Sequence, residues 1–248
     1  MPQRLYRSFQ ALLLLALCIY LAVKAASGQL TFYINLRFVP FTIAGTIFLA
    51  ILAQTLFTEI RRARQLALEY DDHDEHDHKP DSANLWFMLI PLAIGILIPT
   101  RALDSSAFAT KGFNTTGPLV SSNSTAQLLG TESLDRNVLD WIKIFNYEKD
   151  ITPYLGQQAS VIGFVYRDDQ ISENQFYVSR FVIACCAADG FAIAMVVDSP
   201  QAQTFEKDSW VLVKGMISSM TLNDHPVPVI QAASIQSVPV PEQPYLFP

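Results

Sequence analysis

The sequence predicts a membrane-anchored α plus β protein: three N-terminal transmembrane helices, then a small extracytoplasmic β-barrel with an accessory helix. Three observations carry this expectation. Half of the 248 residues are hydrophobic and only 16% are charged, well short of the roughly 25% usual in soluble domains. The long uncharged apolar runs all lie before residue 101, whereas short segments rich in Val, Ile and Phe follow residue 153. The net charge of −6 belongs to the second part alone, since residues 1–100 hold 8 basic and 8 acidic side chains and residues 101–248 hold 9 and 15. That acidic part excludes a basic nucleic-acid surface. Three cysteines are too few for a disulfide scaffold.

Residues 38–58 and 82–100 contain no ionisable side chain, and each run is close to the roughly 20 residues that cross about 30 Å of hydrocarbon. An earlier apolar stretch, about residues 8–26, lies between Arg7 and Lys24, whose charged heads reach the interfaces while their stems stay buried. It reads as a third span. Its competitor is a cleaved signal peptide, because Arg4 and Arg7 precede the apolar core and Val23, Lys24 and Ala25 loosely resemble a cleavage site. Basic residues favour the cytoplasm: Arg4 and Arg7 precede the first span, and Arg61, Arg62, Arg64 and Lys79 follow the second. The expected topology is a multi-pass membrane protein, N-terminus inside and C-terminal domain outside. Pro40, Gly45, Pro91 and Gly95 are candidates for kinks or close helix contacts, the alternative being tolerated helix irregularity. Thr42, Thr46, Thr55 and Gln54 are candidates for interhelical hydrogen bonds of about 1 kcal/mol each. No acid or base falls inside the second or third run, so these spans do not form an ion path by themselves.

The expected anchor is residues 1–101, with a cytoplasmic loop at 61–80. Within that loop, three of the four histidines stand among carboxylates, and His73, Asp74, His76, Asp77 and His78 are candidate ligands for a divalent metal such as zinc. The alternative is a solvated linker. The helix-forming run 59–68 predicts that the second span continues beyond the bilayer.

Residues 102–132 read as a tether rich in Ser, Thr, Asn and Gly. The third unit, residues 133–248, opens with a helix capped by Ser133, in which Leu134, Val138, Trp141, Ile142 and Phe145 recur at helical spacing. Strands follow at 159–167, 175–184, 191–197, 210–218 and 228–238. Five short strands in this span predict a small barrel, OB-like as first choice.

Cys185 and Cys186 are adjacent, with Asp189 and Gly190 just beyond. Neighbouring α-carbons are about 3.8 Å apart, below the usual disulfide minimum of about 4.4 Å, so a bond between them is strained. Strand alternation places Cys185 with Phe181 and Ile183, in the core, and Cys186 with Arg180. Arg180 is six residues from Cys186, too far along a strand to activate it. Cys185, Cys186, Asp189 and His225 form a candidate extracytoplasmic metal set if the fold gathers them. There is no zinc-type CxxC pair, nucleophile elbow or phosphate-binding glycine loop, and no catalytic residue is assigned.

The runs Gly163-Phe164-Val165-Tyr166-Arg167, Arg180-Phe181-Val182-Ile183-Ala184-Cys185-Cys186-Ala187-Ala188-Asp189 and Trp210-Val211-Leu212-Val213-Lys214-Gly215 resemble the YcgQ-like family of permease-complex subunits. The likeness extends to the hydrophobic spans and the histidine-rich stretch. It implies association with a separate multi-spanning permease similar to organoarsenical efflux permeases, and it brings no catalytic residue. The expected function is therefore a non-enzymatic accessory subunit in the lipid bilayer that docks on a permease. The alternatives are a metal-binding sensor or chaperone using the histidine loop and the cysteine pair, and an extracytoplasmic thiol oxidoreductase.

Overall fold

A computed structural model describes residues 3–69, 83–108, 130–148, 150–222 and 225–248. The chain divides into two compact units, the first made of Met1–Leu30 and Leu36–Arg101, the second of Thr31–Asn35 and Ala102–Pro248.

The first unit contains helices α1 (Gln3–Ala26), α2 (Val39–Glu69) and α3 (Ala83–Leu97). Two stretches, Leu5–Ala26 and Leu36–Ala63, are long and apolar enough to cross a membrane. Among the described residues, two of the three expected spans thus reach that length. The 15 residues of α3 rise about 22 Å, and Pro99 stops the helix by disfavouring helical backbone at Ile98. Small residues let the helices approach: Ala11 and Ala53 are buried, and the hydroxyl of Tyr20 donates to the carbonyl of Gly95 at 2.9 Å, where any side chain on Gly95 meets the tyrosine ring. The hydroxyls of Thr42, Thr46 and Thr55 each donate to a carbonyl three or four residues back, the local bond that a helical threonine reaches most easily, while the Thr46 carbonyl accepts from the Cys18 thiol of α1 at 3.8 Å. The outward sides stay apolar, with Phe41 73% and Phe87 78% exposed, which suits hydrocarbon and not water.

In the second unit, Ser133 belongs to a short 3₁₀ turn, Ser133–Asp135, and the helix proper is α4 (Val138–Tyr147). Its cap is Asn137, whose side chain accepts from the amides of Leu139 and Asp140 while Asp140 accepts from the Asn137 amide. Asn137 displaces the expected Ser133 because this reciprocal box satisfies amides at both ends of the first turn. Leu134 is accordingly exposed, and Val138, Leu139, Trp141, Ile142 and Ile144 enter the core.

The strands are β1 (Gln158–Tyr166), β2 (Gln175–Val182), β3 (Phe191–Asp198), β4 (Trp210–Leu222), β5 (His225–Ser237) and the short β6 (Tyr245–Leu246). Their order is β1-β4-β5-β3-β2, and β1 also pairs with β2, which closes five strands into a barrel. Within the barrel all neighbours are antiparallel except β3 and β5, and β6 adds to β2 in parallel. Alternate residues such as Val161 and Val165, Phe176 and Val178, Ile193 and Met195, and Val211 and Val213 fill the main core with α4. The register shifts at Lys214 and Gly215, where a β-carbon on Gly215 collides with the Gln231 main chain, so the bulge demands glycine.

β2 is buried along its whole length, because an aromatic layer covers its outer face. Phe108, Phe164, Phe181, Trp210 and Tyr245 form this second cluster. Residues 102–108, which composition assigns to the tether, pack here. Phe108 meets Tyr166 edge-on at 4.4 Å, and the amide and hydroxyl of Ser105 both donate to the Asp208 carboxylate at 2.8 Å. The Tyr245 hydroxyl accepts from the Leu103 amide at 3.0 Å and donates to the Phe32 carbonyl at 3.1 Å, tying three distant segments. Tyr245→Phe should therefore lower the unfolding free energy of the purified chain by about 1–3 kcal/mol. Thermal or denaturant unfolding checks this, and an unchanged midpoint contradicts it.

Candidate functional site

β2 ends at Val182, whose partner Phe191 already belongs to β3, so residues 183–190 form the connection between these strands. Strand alternation consequently stops before the cysteines. Ile183 is buried, whereas Cys185 is exposed and Cys186 half-buried, which corrects the expectation of Cys185 in the core. Ala187–Asp189 make one 3₁₀ turn that brings the Asp189 carboxylate back over the preceding main chain. One oxygen accepts from the Ala184 amide at 3.1 Å; the other accepts from Cys185 at 2.7 Å and Cys186 at 3.4 Å. This is the turn chemistry expected of aspartate.

Both thiols are free, with the sulfurs 3.7 Å apart. The ligand atoms of Cys185, Cys186 and Asp189 all lie within 4.8 Å of one another. Hydrogen bonding to the Asp189 carboxylate, then to Cys186, pushes the Cys185 thiol up to about 11, since ionising beside a carboxylate is unfavourable. Desolvation acts to raise the Asp189 carboxyl, but the Cys185 thiol and the three amides outweigh it and leave that carboxyl below the usual range. A thiol held protonated works against thiol–disulfide exchange, which needs a thiolate.

A second chain segment braces this turn. Ile34 forms an antiparallel bridge with Cys186: the Asn35 amide donates to the Cys185 carbonyl at 2.9 Å and the Ala187 amide to the Tyr33 carbonyl at 2.8 Å. The buried Asn35 side chain also donates to the Ala184 carbonyl at 2.9 Å. Thr31 donates through its hydroxyl to the Glu242 carbonyl at 2.9 Å. Nothing in the composition of residues 31–35 marks this role, and sequence reasoning missed it; Asn35, a polar residue among apolar ones, is the sole local hint.

Of the other expected ligands, His73, Asp74, His76, Asp77 and His78 lie outside the described residues. His225 begins β5 opposite Leu222 at the hairpin end, and its side chain is likewise outside the described residues. The conspicuous arginines are structural. Arg180 is buried and donates to the carbonyls of Ile162, Gln243 and Pro244 at 3.2, 2.9 and 3.1 Å, with Trp210 at 5.1 Å. Desolvation lowers its guanidinium to about 10. Arg167 likewise donates to the carbonyls of Ala202 and Phe205.

Residues 9–114 match the DUF1980 N-terminal domain and residues 122–248 the DUF1980 C-terminal domain. The chain is 26% identical over 281 aligned positions to the UPF0703 protein YcgQ of Bacillus subtilis (strain 168), across 96% of this chain and 99% of that protein. It is 23% identical over 214 positions to a Streptococcus mutans protein named "Putative two-component membrane permease complex subunit", across 69% of this chain and 77% of that one.

The raised Cys185 pKa has a measurable consequence. In a Cys18→Ala chain, iodoacetamide should alkylate Cys185, located by tandem mass spectrometry, slowly near pH 8, the rate climbing about tenfold per pH unit toward pH 10. Adding Asp189→Asn should speed the reaction near pH 8 by at least about tenfold. A plateau below pH 9, or equal rates with and without Asp189, contradicts the assignment.

Proposed function

The chain belongs to the DUF1980 family, and on that premise we propose that it is a non-catalytic accessory subunit of a membrane permease complex. In this reading the helices dock on a multi-spanning partner and the barrel guards or loads the partner's outer mouth. The carrying observation is the character of α1 and α2: two helices of spanning length, only 17% and 6% of whose apolar windows are buried within the chain, with no ionisable residue from position 38 to 58. Such helices have packing surface to offer and no charged path of their own. A cleft of about 470 Å³ lined by Leu15, Ala50, Ala53, Gln54, Phe57, Thr58 and Arg61 supplies apolar walls and polar groups for a partner helix. The printed name of the Streptococcus mutans relative supports the class of complex.

The topology in this proposal is N-terminus inside, barrel outside, with the barrel read as OB-like. Five strands closing in the order β1-β4-β5-β3-β2, with β3 and β5 parallel, suit that architecture. The hydrogen bonds of Thr31–Asn35 to the barrel support a third crossing. That segment joins α1 to α2, so a chain that leaves α2 on the opposite face must cross once more before residue 102, and α3 is the apolar candidate. The basic residues on either side of these helices set the orientation.

Two experiments test the proposal. Mild solubilisation of native membranes should recover a polytopic membrane protein with this chain in stoichiometric amount; repeated recovery of the chain alone contradicts the partner. A Gln170→Cys chain should react with an impermeant maleimide in intact spheroplasts, and reaction only after lysis contradicts the topology.

A further inference from the structure

We propose that Cys185, Cys186 and Asp189 form a binding site for a thiophilic divalent cation of the zinc and cadmium type on the surface of the β-barrel. The site goes beyond the accessory-subunit reading and stands whether or not a permease is bound. Its first support is convergence: two sulfurs and a carboxylate, each a zinc ligand in its own right, have ligand atoms within 4.8 Å of one another.

The second support is metric. Two thiolates at about 2.3 Å from a tetrahedral zinc ion stand about 3.8 Å apart, and the Cys185 and Cys186 thiols, hydrogen-bonded but not joined in a disulfide, hold their sulfurs 3.7 Å apart. Adjacent residues in a regular strand point to opposite faces, so this spacing exists only because the chain leaves β2 at Val182 and turns.

The third support is preorganisation. The amides of Ala184, Cys185 and Cys186 fix the Asp189 carboxylate, and the Ile34 bridge fixes the Cys186 main chain. These supporting bonds orient the donors before an ion arrives.

Binding is a simple exchange of protons for metal. The cation forms two metal–sulfur bonds and one metal–oxygen bond, the two thiol protons pass to solvent, and no atom is oxidised or reduced. Two positive charges replace two protons, so the net charge of the cluster is unchanged and no counter-ion is required. Cys185 is exposed and Cys186 half-buried, and three donors leave a tetrahedral ion one open position. An open, accessible position belongs to an ion that is received and passed on, in contrast to the closed four-ligand sites that stabilise folds.

Cadmium titration of the full-length chain in detergent tests the site, using a background with Cys18, His73, His76 and His78 replaced by alanine so that no other thiol or histidine cluster competes. The thiolate-to-cadmium charge-transfer absorption in the ultraviolet should saturate at one ion per chain, and zinc should displace it. Cys185→Ser and Cys186→Ser should each remove much of the band and weaken binding by at least about tenfold, whereas Asp189→Asn should keep the band with weaker binding. Because a misfolded variant also loses the band, the folded parent is alkylated at both thiols and titrated again, which should abolish it. A band that survives alkylation or both serine substitutions overturns the site, as does saturation only at millimolar cadmium.

Discussion

Two main-chain hydrogen bonds, from the Asn35 amide to the Cys185 carbonyl and from the Ala187 amide to the Tyr33 carbonyl, fasten the connection between the first two helices to the turn that carries the cysteine pair. Each contributes only about 1 kcal/mol net. Asn35 is 5% exposed, however, and a buried amide left without its acceptor costs more than the bond itself contributes. The surrounding bonds from Thr31 to Glu242 and from Tyr245 to Phe32 share neighbouring backbone, so the clamp forms or opens as a unit. From it follow the geometry of the two thiols and the attachment of residues 31–35 to the barrel.

The barrel was legible where burial imposes a period. Val161 and Val165, or Ile193 and Met195, face the core because alternation is the only way a strand buries one face, and the five main strands lie close to their expected positions. Alternation misled only where the strand had already ended. Cys185 was assigned to the core by counting from Phe181, but β2 stops at Val182 and the count loses its meaning. Asn137 escaped notice as the helix cap because Ser133 stands earlier in the chain with equal capping chemistry. Only the reciprocal bond with Asp140 decides between them. The two-residue β6 and the docking of residues 31–35 rest on pairing across more than sixty residues of chain, which no local pattern encodes.

The three motif runs that resemble the YcgQ-like family separate by physical role. Gly163, Arg167, Arg180, Trp210 and Gly215 hold the barrel together. A β-carbon on Gly163 comes within 2.6 Å of the Ser179 carbonyl, and Arg180 spends its donors on three main-chain carbonyls. Gly163, Arg180, Trp210 and Gly215 are buried, and the half-buried Arg167 spends its guanidinium on the Ala202 and Phe205 carbonyls, so they offer a partner little. The Cys185, Cys186 and Asp189 part of the same pattern is the reverse: exposed or half-exposed, chemically soft, and braced from beneath by main-chain bonds. We propose function at that turn and at the apolar helix faces, because the architecture alone does not confer it.

The bridge between Ile34 and Cys186 is the most direct place to test the account. The bonds flanking it make the two residues a pair without hydrogen bonds of its own, whose α-carbons lie about 4.5 Å apart, within the range that a disulfide spans. An Ile34→Cys chain that also carries Cys18→Ala and Cys185→Ser should oxidise in native membranes to an intramolecular disulfide between positions 34 and 186, detected by mass spectrometry of the joined peptides. Failure of the two thiols to join, with an impermeant reagent labelling one only from outside and the other only after lysis, would place the connection and the barrel on opposite sides of the membrane and contradict the account.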